Sequence, residues 1–179
     1  MQQWVALLRG VNLGGHKMVP MADLRALCAG LGWGGVQSYI ASGNLVFAAA
    51  GTGETLARRL ELALVAQMGV QVAVLVLAKA EMQAALAACP FDPLQGSHVH
   101  GFFLGADPVV RWPVFDALRL PNEALVVQGR VAWLHAPDGI GRSALAEKLH
   151  QVVTGTQMTA RNLNTLRKLV EMLDASDAG

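Results

Sequence analysis

Charge is scarce in this sequence. Acidic and basic residues make up only 15% of the 179 positions and nearly cancel, leaving a net charge of +1. That balance provides no global field to draw in nucleic acid or an anionic surface, so any anion recognition must come from local clusters. Cysteine is nearly absent as well. Cys28 and Cys89 share no metal or redox spacing and read as reduced core residues of a cytoplasmic protein. Long apolar runs are missing: no window reaches the ~18 uninterrupted apolar residues of a spanning helix. The opening MQQWVALLRG lacks a basic n-region, and its apolar stretch is only Trp4 to Leu8, so it is not read as a signal peptide. No membrane is expected as a partner. Aromatic residues amount to 6%, and the aromatic signature of RNA-binding RRM sheets is lacking, so nucleic acid is not expected either.

What the chain has is apolar bulk. At 53% hydrophobic residues it can bury a core and still leave apolar surface for a second copy, so a homo-oligomer fits the composition.

Glycine, proline and capping residues divide the first half. Trp4 to Leu8 reads as a buried strand bounded by Gly10. Pro20 is placed as a first helical residue, followed by Leu24, Leu27, Cys28 and Leu31 on one face, with Gly32 ending the helix. Val36 to Ile40 and Leu45 to Ala49 are strands around the tight loop Ala41-Ser42-Gly43-Asn44. Thr52 can cap a helix carrying Leu56, Leu60, Leu64 and Met68. Val70 to Leu77 reads as a strand, and Glu81 to Ala88 as a helix stopped by Pro90.

The second half repeats the order. Val99 to Leu104 is a strand and Val114 to Leu118 a short helix, and a hairpin follows around Gln128-Gly129-Arg130. Ser143 can cap a helix with Leu145, Leu149 and Val152. The extended piece Gln157 to Ala160 leads into a last helix with Leu163, Leu166, Val170 and Leu173. The hairpin glycines Gly43 and Gly129 lie 86 positions apart, and the cap residues Thr52 and Ser143 lie 91 apart, which suggests a duplicated unit. The expected fold is α+β: two tandem ferredoxin-like (βαββαβ) units with antiparallel sheets, each with an extra C-terminal helix, over residues 1-90 and 91-179. The alternative is one continuous mixed sheet without a repeat.

Four polar segments interrupt the apolar pattern. In Arg9-Gly10-Val11-Asn12-Leu13-Gly14-Gly15-His16-Lys17 the glycines allow backbone N–H groups to approach an anion, and Arg9, His16 and Lys17 add donors. It is not a P-loop, because no Lys-Ser or Lys-Thr follows the glycines. Ser42-Gly43-Asn44 reads chiefly as a hairpin turn. Pro137-Asp138-Gly139-Ile140-Gly141-Arg142-Ser143 leads into a helix, and a basic Arg142 there opposes the helix dipole by ~0.3–1 kcal/mol. In the stretch Thr159 to Lys168, Asn162 can cap the last helix, while Arg161, Arg167 and Lys168 crowd its N-terminal half. A bound phosphate or carboxylate explains that reversed polarity. So does an Arg167–Glu171 pair worth ~0.2–0.5 kcal/mol.

Catalytic sets are mostly missing. His98 and His100 share a strand face, but no Cys, Asp or Glu completes a metal spacing, so no metal is expected. No Ser–His–Asp or Cys–His grouping stands out.

Arg9-Gly10-Val11-Asn12-Leu13-Gly14-Gly15, Val19-Pro20-Met21, Tyr39-Ile40 with Ser42-Gly43-Asn44, Gly139-Ile140-Gly141-Arg142-Ser143 and Thr159-Ala160-Arg161-Asn162-Leu163-Asn164-Thr165 together resemble the signature of the domain of unknown function 1697 family, in order over nearly the whole chain. The resemblance implies ferredoxin-like α+β units and no established activity, substrate or cofactor. The chain departs from the family's pattern at Ala41 where Gln is common, at Ala144 where Lys is common, and at Leu163 where Trp is common. If the lysine position helps hold an anion in relatives, this chain binds more weakly or differently.

The expectation is therefore a binding module for a small anionic, phosphorylated or nucleotide-like ligand. Arg9, Lys17, Arg142, Arg161 and Lys168 supply charge. Asn12, Ser42, Asn44, Ser143, Asn162 and Asn164 supply directional hydrogen bonds, and Gly14 and Gly15 allow close approach. Two alternatives are an enzyme using the same groups, with His16 or Ser42 in proton transfer, and a nucleic-acid or protein interaction module. The sequence designates no cofactor.

Overall fold

A computed structural model describes residues 1–176. It is an α+β structure with two four-stranded antiparallel sheets and a small two-stranded one. The chain divides into two compact units, Met1–Ala84 with Lys168 onward, and Ala85–Arg167. No helix among the described residues is long and apolar enough to cross a membrane.

In the first unit, β1 (Gln2–Leu8), β2 (Gly34–Tyr39), β3 (Asn44–Ala49) and β4 (Val74–Ala78) form a sheet in the order β2-β3-β1-β4. Val5, Ala6, Leu7 and Leu8 are fully buried, so β1 needs an apolar run rather than alternation. Helices α1 (Met21–Gly30) and α2 (Gly53–Met68) set Leu24, Leu27, Leu56 and Leu60 against Trp4, Ala6, Leu45 and Phe47. Each such leucine contributes roughly 2 kcal/mol by burial. Thr52 caps α2 with a reciprocal box: its hydroxyl accepts from Thr55 N, and Thr55 Oγ1 accepts from Thr52 N. Pro20 is the N-cap of α1 rather than its first residue.

The strand expected from Val70 begins only at Val74. Val74 is the partner of Leu8, the last residue of β1, and beyond it only Arg9 N reaches Ala73 O at 3.0 Å. Helix α3 (Lys79–Ala87) follows.

In the second unit, β5 (Val99–Leu104), β7 (Ala124–Gln128), β8 (Val131–His135) and β10 (Met158–Asn162) form the order β10-β5-β8-β7, every pair antiparallel. Strands β6 (Val109–Val110) and β9 (Val153–Thr154) make the small sheet. Helices α4 (Trp112–Leu118), α5 (Ala144–Glu147) and α6 (Leu149–Val152) pack Phe115, Leu145 and Leu149 on the sheet face carrying Phe102, Ala132 and Leu134. Helix α7 (Leu163–Ala175) follows β10.

Candidate ligand site

The polar segments of the first unit meet, and the fold uses their amides. Asn12 Nδ2 donates to Val19 O at 2.9 Å and to Ala41 O at 2.6 Å, while its Oδ1 accepts from Val19 N at 2.7 Å. Leu8 N donates to Gly43 O at 2.8 Å. Asn44, fully buried, donates to Tyr39 O and to Ser42 Oγ. Gly14 and Gly15, at φ 56° and 78°, turn a miniature hairpin in which Leu13 bridges His16 and Asn12 N donates to Lys17 O. Two consecutive positive φ angles are the requirement of a type I′ turn, and that accounts for both glycines. Arg9 and Lys17 are exposed beside this hairpin. The non-glycine residues with positive φ, Asn12, Lys17 and Ile40, all belong to these two joined loops. Backbone strain in the first unit is thus concentrated where the two motifs touch.

A pocket of about 510 Å³ lies in the second unit. That volume suits a small metabolite. Its floor comes from sheet alternation: His100 and Phe102 point to one face of β5, and Ala160 of β10 stands opposite Phe102 in register. Its wall is the 3₁₀ turn Ile140–Arg142 continuing through Ser143 into α5, with Ala144, Ala146 and Glu147 in the lining. Ser143 Oγ accepts from Ala146 N at 2.9 Å, so this hydroxyl caps α5 while sitting at the pocket. Arg142 and Glu147 are exposed, and the side chain of neither makes a hydrogen bond or ion pair among the described residues. With Ala144 following Ser143, Arg142 is the sole cation of the lining. Burial pushes the His100 imidazole down to about 4, so it is neutral at physiological pH, and its buried Nδ1 has no hydrogen-bond partner among the described residues.

The remaining expected residues lie elsewhere. Arg161 pairs in register with Gly101, on the sheet face opposite Phe102 and Ala160, where it is 8% exposed and its Nη1 donates to Ala160 O. Burial lowers its pKa to about 10, which leaves it charged. Asn162 Oδ1 accepts from Thr165 N at 2.9 Å and caps α7. Asn164 packs so closely on Gly96 that a Cβ there would collide with its amide. Lys168 pairs with Glu171 at 2.7 Å; this, rather than Arg167 with Glu171, is the ion pair that forms on the helix. His98 ends a 3₁₀ turn, Gly96–His98, so only His100 of the two histidines is on the strand. Of the pocket residues, Arg142 and Ser143 follow from the sequence pattern. His100, Phe102, Glu147 and Ala160 do not, because they are joined only by strand register and by the path of the 139–147 segment.

Comparison with known proteins places the chain. The sequence profile of the family described as protein of unknown function (DUF1697) matches residues 1–133, and the chain belongs to that family. Among solved structures it is similar to the conserved bacterial protein SP0830 from Streptococcus pneumoniae. The two share 24% identity and a TM-score of 0.71, over 96% of this chain and 98% of the other. That likeness is one of fold. No curated protein matches the chain.

Proposed function

We propose that this protein binds a small anionic ligand in the pocket formed by β5, β10 and the Ile140–Glu147 segment. The observation that carries the reading is Arg142: a guanidinium lining a concave site without a partner of its own among the described residues. A phosphate or carboxylate supplies the missing acceptor, in a bidentate geometry that suits guanidinium better than ammonium. The amides of Asn12, Asn44 and Asn162 are engaged by the backbone, so the proposed ligand-binding set narrows to Arg142 and Ser143, with Phe102, Ile140 and Ala160 as the apolar surround.

A thermal-shift titration with orthophosphate and with simple carboxylates tests this. A ligand that binds only the folded chain raises Tm as its concentration passes Kd, and Arg142→Ala should remove the rise. Flat melting temperatures at millimolar ligand, or a rise that survives Arg142→Ala, defeat the reading.

A second reading, an enzyme acting on such a ligand, is favoured by His100, whose neutral imidazole lines the same pocket and has the form of a general base. Its test is phosphate release from small phosphomonoesters, followed by phosphorus NMR. Turnover that is equal in wild type and His100→Gln removes His100 from that role.

The same proposal takes residues 1–90 and 91–179 as two ferredoxin-like units. The support is that strand order repeats, β2-β3-β1-β4 and β7-β8-β5-β10, with antiparallel pairing throughout. A cytoplasmic location is supported by the two free cysteines. Homo-oligomerisation is supported by Leu62 and Val65, exposed one turn apart on α2.

A further inference from the structure

Resting on the reading just given, the geometry points to a zwitterion as the ligand of this pocket: a small molecule with an anionic group, an amino group and an apolar body. Two charges of opposite sign line one cavity, Arg142 from the 3₁₀ turn and Glu147 from the end of α5, yet no ion pair joins them. Neither is claimed by another described residue. Oppositely charged side chains that share a site without touching leave room for a ligand that carries the complementary charges in the reverse order. A plain anion would meet Arg142 favourably and Glu147 unfavourably. A plain amine would meet the converse. Only a molecule with both groups gains at each end.

The rest of the lining agrees. Phe102, Ile140, Ala144, Ala146 and Ala160 are apolar, and they offer contact to a hydrocarbon portion rather than to a heavily hydroxylated one. Ser143 Oγ accepts from Ala146 N, which leaves its O–H to donate to a ligand. His100 adds a polar edge without adding a charge, since its imidazole is neutral. The pocket's formal charge is therefore zero, matching a ligand whose own charges cancel.

Matched probes read this out on the full chain by calorimetry or thermal shift. L-leucine is compared with 4-methylpentanoate, which keeps the carboxylate and skeleton but lacks the amine. Phosphoethanolamine is compared with ethyl phosphate in the same way. The expected result is that the amine-bearing member of at least one pair binds about two- to fivefold more tightly, the range of a partly exposed charge pair. Glu147→Gln should erase that preference and leave the plain anion equal or tighter. Arg142→Ala should weaken every probe about tenfold or more. If the plain anions bind through Arg142 but no amine-bearing partner binds better, anion binding stands and the zwitterion inference falls. A preference that persists in Glu147→Gln sinks it too. If no probe binds at all, both the site and the inference are lost.

Discussion

Asn12 and Val19 are joined in both directions, with the asparagine amide donating to the valine carbonyl at 2.9 Å and its oxygen accepting the valine N–H at 2.7 Å. A third bond, to Ala41 O, fastens the first glycine-rich loop to the turn that precedes β3. Asn12 also holds φ 56°, a conformation asparagine tolerates better than most residues. Asn12→Ala should therefore lower stability by about 2–3 kcal/mol in urea denaturation, from lost hydrogen bonds plus backbone strain. Asn12→Asp should cost at least as much, because it keeps the oxygen that accepts Val19 N but sets a second acceptor against the carbonyls of Val19 and Ala41. Equal stability of Asn12→Ala and wild type would show that the clamp carries no weight.

The two hairpin glycines look alike in sequence and differ in their surroundings. A Cβ on Gly43 would lie 2.7 Å from Leu8 Cβ and 2.8 Å from Val11 Cγ2, at φ +81°. A Cβ on Gly129 meets nothing within 4 Å, at φ +54°. Gly43→Ala is expected to destabilise by about 2–4 kcal/mol, from overpacking added to strain. Gly129→Ala should cost only about 1 kcal/mol, from the left-handed backbone alone. Comparable losses in the two variants would contradict the packing difference.

His100 predicts a pH dependence of definite sign. In the unfolded chain its imidazole takes up a proton near pH 6.5, and in the folded protein only near about 4. Between those values the unfolded state binds more protons, so stability should fall as the pH is lowered through that window. The loss should be about 2 kcal/mol, allowing for the ring's partial exposure. His100→Leu should flatten this part of the profile. A wild type and variant that lose stability in parallel from pH 6.5 to 4 would exclude His100 as the cause.

Lys79 Nζ donates to Leu173 O at 3.1 Å and lies 2.8 Å from Asp174 Oδ1, with its side chain 18% exposed. Lys79→Met should cost about 1–2 kcal/mol. Asp174→Ala should cost less, because that carboxylate is more than half exposed and the Leu173 carbonyl keeps its donor. The order of the two losses, read by chemical denaturation, is the check.

Local signals were the legible part of this chain. Thr52, Ser143 and Asn162 each cap a helix as their positions suggest, since a cap depends only on the next three residues. The glycines at 14 and 15 carry two meanings in sequence, a cradle for an anion or a tight turn, and the Leu13–His16 bridge fits the turn. The pocket itself was only half visible. Arg142 and Ser143 belong to a recognisable segment, but Ala160 meets Phe102 through β10–β5 register, and Glu147 reaches the lining through the break between α5 and α6. Pairing at that sequence distance leaves no local mark.

The first compact unit is assembled from two pieces, Met1–Ala84 and the stretch from Lys168 onward. During synthesis the opening sheet thus waits for Lys168 and the residues after it before its unit is whole, while every residue of the second unit has already been made. Nicking the chain between the two pieces should therefore disturb the first unit, although the cut lies outside it.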